Sequence, residues 1–189
     1  MKFMQWFLTC VLVSASSSIA LGQAKPAEHL TVSQIMDRAV GQVEGEFLPA
    51  ANAMPEDKYS FAPTNGTFKG VRTFAQQVNH VSAVNYMIGA TILEQKPPVD
   101  LGGENGPDSI TSKADIMKFA KDSFAYLHKA LASINEKNQT DQVKNPFGEG
   151  TVTRLGIATV ALTHPFNHYG QMVEYLRMNG IIPPASRGQ

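Results

Sequence analysis

His164 and His168 stand four residues apart in a segment whose apolar positions, Ile157, Ala161, Met172 and Tyr175, recur with helical spacing on the same stripe. Residues four apart on a helix lie one turn apart on one face. The pattern therefore sends both imidazoles toward the interior, where their nitrogens cost free energy unless they find partners. A shared divalent ion would satisfy one nitrogen of each, as in helical zinc sites with the same spacing. His80, midway along an earlier helical stretch and beside Val84 at the border of its apolar stripe, is the third candidate ligand. Three histidines with the remaining positions left to water describe an open site, the catalytic kind; structural ions usually have a closed four-ligand shell. Hydrogen-bonded core histidines are the competing reading of the same residues, and spacing alone leaves both open.

Four helical stretches must position these side chains. The first is expected over Thr31 to Met54, with Ile35, Val40, Val43, Phe47 and Leu48 as its apolar face, Pro49 bending its last turn and Pro55 helping to stop it. A loop with Pro63 and the Asn65-Gly66 turn pair leads to a second helix over Phe68 to Glu94, striped by Phe74, Val78, Val81, Ile88 and Ile92. After a polar loop rich in Pro and Gly, Thr111 or Ser112 can cap a third helix that runs to about Ile134. The fourth is expected over Thr151 to Asn179, with Gly180 past its end and Pro183-Pro184 forbidding continuation. No stretch alternates at period two over any length, so no sheet is expected. Four such helices bury their stripes most simply as an all-α four-helix bundle. Pro165 lies between the two histidines, and a proline inside a helix costs about 3 kcal/mol. A kink there either re-aims His164 toward the ion or makes it the weakest ligand.

Hydrolysis by a metal-activated water normally calls for a nearby carboxylate as general base. The histidine faces offer Gln76, Gln77, Gln171 and Tyr175 instead. Glu174 points elsewhere on the fourth helix, and nothing in the pattern requires Glu44 or Glu46 to reach inward. His128 reads as a partly exposed residue at the edge of the third helix's stripe rather than a ligand, and His29 falls in a polar segment.

The first 22 residues read as a secretory signal peptide: Lys2 charges the start, an apolar run follows from Trp6 to Val13, and Ala20 and Gly22 stand at −3 and −1 for cleavage before Gln23. The run is too short and too diluted by serine for the roughly 20 apolar residues of a membrane span. The expected organisation is therefore a leader (1–22), a short polar linker (23–30), the bundle (31–184) and a C-terminal tail (185–189), with export to the periplasm or medium and no stable membrane insertion after processing. Cleavage removes Cys10 and Trp6, the one cysteine and the one tryptophan, and so leaves neither a disulfide nor a thiolate. Lys+Arg falls from 16 to 15 against 16 Asp+Glu, so the mature chain is nearly neutral. With charged residues at only 17% and no basic stripe, nothing points to nucleic acid.

Three segments together, the run from Met54 to Pro63 (MPEDKYSFAP), the run ending at His80 (FAQQVNH) and the run from His164 to Pro184 (HPFNHYGQMVEYLRMNGIIPP), resemble the DinB-like superfamily. The resemblance extends from about Ile35 to Pro184. It implies a four-helix bundle with an unusual helix order and a divalent metal, zinc or nickel foremost and iron as a further option, held by His80, His164 and His168. Gly170-Gln171 and Tyr175-Leu176-Arg177 match the family's C-terminal signature; in that light Gly170 would allow close helix approach and Arg177 would anchor the helix end. Pairing as a homodimer is implied by the resemblance alone. Characterised relatives include S-transferases that use low-molecular-weight thiols such as bacillithiol or mycothiol, where the metal would favour the thiolate; export counts against such a thiol, made chiefly inside the cell. Three functions therefore stay open: thiol transfer, hydrolysis on a small-molecule substrate of unknown identity, and a non-enzymatic exported module that binds metal or a ligand. Fold alone does not choose among them.

Overall fold

Threonine and serine side chains set where the four helices begin. The computed structural model describes residues 29–103 and 105–188; the expected leader and nearly all of the linker lie outside the described residues. Helix α1, Val32–Ala53, starts from Thr31, whose hydroxyl accepts from the Gln34 amide while the Gln34 side chain accepts from the Thr31 amide. Helix α2, Phe74–Leu93, repeats this reciprocal cap with Thr73 and Gln76. Helix α3, Lys113–Leu131, starts from Ser112, and α4, Arg154–Met178, from Thr153. Each cap satisfies an amide that the helix itself cannot.

The second helix therefore starts six residues later than its expected start at Phe68. Gly70 has φ +82°, outside right-handed helical space, and the reciprocal cap at Thr73 supplies the true start. In α1 the exposed Ile35 is not part of the core; Met36 is, followed by Val40, Val43 and Phe47. Pro49 is accommodated within α1. Lys113 closes its end: Nζ donates to the carbonyls of Asn52 (2.7 Å) and Met54 (2.8 Å), a cation placed on the negative end of the helix.

A two-stranded sheet takes part of the connection expected between the third and fourth helices and also the first three residues expected of the fourth, which begins at Arg154 rather than Thr151. Strands β1, Gln142–Lys144, and β2, Thr151–Thr153, pair antiparallel with Val143 opposite Val152. Three-residue strands are too short to show alternation. Buried Val143 ties the hairpin to the core, and the amides of Arg154 and Leu155 donate to the carbonyls of Asp141 and Gln139, so the hairpin leads directly into α4.

The helix order decides what meets what. Helix α2 packs on α3 and α4, and α1 packs on the same two. The consecutive helices α1 and α2 thus stand across the bundle from each other, as do α3 and α4, and the long connections 54–73 and 132–153 cross it. Phe47, Phe124, Ile88, Leu127, Ile157 and Leu176 fill the shared core. Helix α2 is buried almost all round, as a helix held between two neighbours must be. It meets α3 closely at Gly89, where an added Cβ would lie 2.8 Å from the Tyr126 ring. No described helix is long and apolar enough to cross a membrane.

Candidate metal centre

The α2–α4 contact brings His80 to His164 and His168. The three ring centroids are 4.6–4.9 Å apart, and one nitrogen of each ring lies within 4.8 Å of the others. Nε2 of His164 is 3.1 Å from Nε2 of His80. Two zinc–nitrogen bonds of about 2.1 Å at a tetrahedral angle would set their nitrogens about 3.4 Å apart, so a small shift admits an ion. Helix α4 runs through Pro165 without a break, and the buried proline leaves His164 facing His80.

Gln77, one turn before His80 on α2, settles the orientation of His168. Its side-chain oxygen accepts from His168 Nδ1, its amide donates to Gln171 Oε1 (2.9 Å), and the Gln171 amide donates to Asn167 Oδ1 (2.9 Å). With Nδ1 carrying the proton, Nε2 of His168 presents its lone pair. His164 lacks such a partner: its Nδ1 is buried with no hydrogen bond among the described residues. Burial holds His164 down to about 3 and His168 down to about 4, helped by the neighbouring histidines and by the Arg72 charge. Both rings are thus neutral near pH 7, as ligation requires. Convergent neutral imidazoles fit a divalent ion of the zinc or nickel kind.

The carboxylates weighed as general bases are engaged elsewhere. Glu44 bonds Nε2 of His128 (3.0 Å), Glu46 bonds Tyr169, and Glu174 pairs with Arg177 (2.9 Å). His128 is an edge residue, as its pattern suggests, but it is also a clamp between helices, with Asp37 on its Nδ1 at 2.6 Å. Two expectations for the C-terminal signature are corrected. Nothing crowds the Cβ position of Gly170, so no helix approaches closely there, and Arg177 bonds exposed Glu174 next to it on α4 rather than a helix end. Tyr175 and Leu176 are the buried members of that run, and Tyr175 donates to the Arg72 carbonyl (3.1 Å).

Over residues 39–172 the sequence matches the model of the DinB superfamily. The chain belongs to that superfamily. No curated protein matches it. Among solved DinB-like structures, YjoA from Bacillus subtilis is 19% identical, with a TM-score of 0.59 over 77% of this chain and 92% of that one. A DinB-like protein from Bacillus cereus is 15% identical, with a TM-score of 0.62 over 83% and 98%. YfiT from Bacillus subtilis, described as a probable metal-dependent hydrolase with an unusual four-helix bundle topology, is 15% identical, with a TM-score of 0.56 over 85% and 96%. At these identities the likeness establishes the DinB-like four-helix fold.

Two arginines, one beside the histidines and one at the far end of the α2–α4 contact, carry no signal in the sequence. Arg72 precedes the α2 cap, with its Nε on Asn105 Oδ1 (2.8 Å). Arg154, buried at the start of α4, bonds the Ile92 carbonyl and Glu94 at the end of α2. The Arg72–Asn105 bond and the Arg154 bonds to Ile92 and Glu94 each span more than 30 residues, which local spacing does not reveal.

Proposed function

We propose that this DinB-like chain is an exported metal-dependent enzyme, best read as a hydrolase, with one divalent ion held by His80, His164 and His168. The observation that carries the reading is the convergence of the three imidazoles on one point, with His168 turned by Gln77 so that Nε2 faces inward. Zinc or nickel suits this ligand set best, and iron also fits it. When bound, such an ion acts as a Lewis acid and lowers the pKa of a coordinated water to about 7. The likeness to YfiT, described as a probable metal-dependent hydrolase, supports the choice of chemistry. Export rests on the leader pattern of residues 1–22 alone.

A second reading, thiol S-transfer, is favoured by the engagement of Glu44, Glu46 and Glu174 elsewhere. A thiol needs no carboxylate base once a metal stabilises its thiolate. The test is elemental analysis of the untagged protein beside His168→Ala, followed by cobalt substitution. About one ion per chain in the parent, lost in the variant, supports the metal centre. A sulfur-to-cobalt charge-transfer band on adding a simple thiol, with no turnover of activated esters, would favour transfer over hydrolysis. A parent that takes up no zinc, nickel or iron would leave hydrogen-bonded core histidines and a non-enzymatic module.

A further inference from the structure

Asparagine is followed by glycine three times in the chain, at Asn65-Gly66, Asn105-Gly106 and Asn179-Gly180. Such a pair is chemically labile, because the glycine nitrogen can attack the asparagine side-chain carbonyl with no Cβ in its way. The fold restrains two of the three. Asn105 Oδ1 accepts from Arg72 Nε (2.8 Å), and the Gly106 amide donates to the Gly103 carbonyl (3.1 Å). Gly106 is itself buried, and a Cβ added to it would lie 2.8 Å from that of Asn79. At the end of α4, Asn179 Nδ2 donates to the Tyr175 carbonyl (2.9 Å) and the Gly180 amide to the Arg177 carbonyl (2.9 Å). In both pairs the attacking nitrogen and the side chain it would attack are tied down separately.

Asn65 has neither restraint. It lies in the connection between α1 and α2, within a run from Thr64 to Gly70 that is exposed throughout. Neither its side chain nor the Gly66 amide has a hydrogen-bond partner among the described residues. We infer that Asn65 is a modification site, an asparagine that deamidates in the folded protein while the other two pairs are protected. The Gly66 nitrogen gives up its proton to solvent base and bonds to Asn65 Cγ, the Cγ–Nδ2 bond breaks, and ammonia leaves. Water then opens the cyclic imide at either carbonyl. One opening gives aspartate; the other gives isoaspartate, with the chain rerouted through the side chain. Water is the only co-reactant. Each event places a carboxylate, and in the second case a longer backbone, on the connection that anchors the first turn of α2, where the Phe74 and Ala75 amides donate to the Phe61 and Tyr59 carbonyls. The inference depends on neither the metal centre nor the leader.

The test holds the purified protein in mildly alkaline buffer and follows its tryptic peptides by mass spectrometry over time. The peptide 59–69 contains Asn65 and no other asparagine. It should convert to the acid at least about tenfold faster than the peptides bearing Asn105 and Asn179, because each of those pairs must first give up two hydrogen bonds. An isoaspartyl methyltransferase should label the same peptide, and the aged protein should bind an anion exchanger more tightly. In the guanidinium-denatured chain the three rates should draw together, chiefly by a rise at Asn105 and Asn179. Asn65→Gln should remove the early acidic species and leave the unfolding midpoint unchanged. Conversion of Asn105 or Asn179 as fast as Asn65 in the folded protein overturns the inference, as does a folded protein in which no pair converts. A preference for Asn65 that persists undiminished after denaturation also overturns it, because local sequence rather than the fold would then select the site.

Discussion

The side-chain oxygen of Gln77 on α2 accepts a hydrogen bond from Nδ1 of His168 on α4, so a neutral amide fixes which nitrogen of the imidazole faces the other two histidines. The bond crosses the same helix pair that brings the three histidines together. Gln77 is 1% exposed and passes the constraint on to Gln171 and Asn167.

Replacing Gln77 should therefore act on the metal rather than on the fold. Gln77→Leu is expected to weaken zinc binding about 10- to 100-fold, the usual effect of losing the group that orients a histidine ligand. Gln77→Glu keeps an acceptor for Nδ1–H and should retain most of the affinity. Competition with a chromophoric chelator measures both. Equal affinities in Gln77→Leu and the parent would show that His168 needs no orientation.

The two histidines of α4 should also differ. His168 has an orienting partner, whereas His164 Nδ1 has none. His168→Gln is expected to lose more zinc affinity than His164→Gln, and isothermal titration with zinc ranks them. The opposite order would mean that Pro165 places His164 better than Gln77 places His168.

His128 gives a pH dependence of definite sign. Burial opposes its charging, but hydrogen bonds and the charges of Asp37 and Glu44 outweigh this and raise its pKa above 6.5. The geometry agrees: carboxylates only accept, so with one on each ring nitrogen both nitrogens must donate. A base whose folded pKa is raised adds stability below its unfolded pKa and loses it as pH rises through the folded value. The parent should exceed His128→Gln by about 1 kcal/mol at pH 6, a gap that shrinks above it, as urea unfolding at several pH values would measure. A gap that widens with rising pH would reverse the assignment.

Arg154 should matter for stability and not for the metal. It is 7% exposed and joins the start of α4 to the Ile92 carbonyl and Glu94 at the end of α2. Arg154→Met keeps most of the volume but strands that carbonyl, at about 2 kcal/mol by chemical denaturation, with zinc content unchanged. A variant as stable as the parent would mean that the end of α2 finds another donor.

Local geometry made the helices and one half of the site legible in the sequence. Val40, Val43 and Phe47, and likewise Phe124, Leu127 and Leu131, mark buried stripes because helical spacing is a property of neighbouring residues. His164 and His168 share a face for the same reason. The start of α2 was less legible, because a capping box outweighed an apolar residue at Phe68, and the hairpin was illegible, because three-residue strands owe their pairing to position rather than pattern. Only the tertiary structure decided which helix faces α4. The diagonal connections put α2 there, and with it came His80, 84 residues from His164, and Gln77, 91 residues from His168. These contacts are side-chain meetings across a packed interface. The chain can specify each residue, but only the order in which four helices bury one another determines which residues touch.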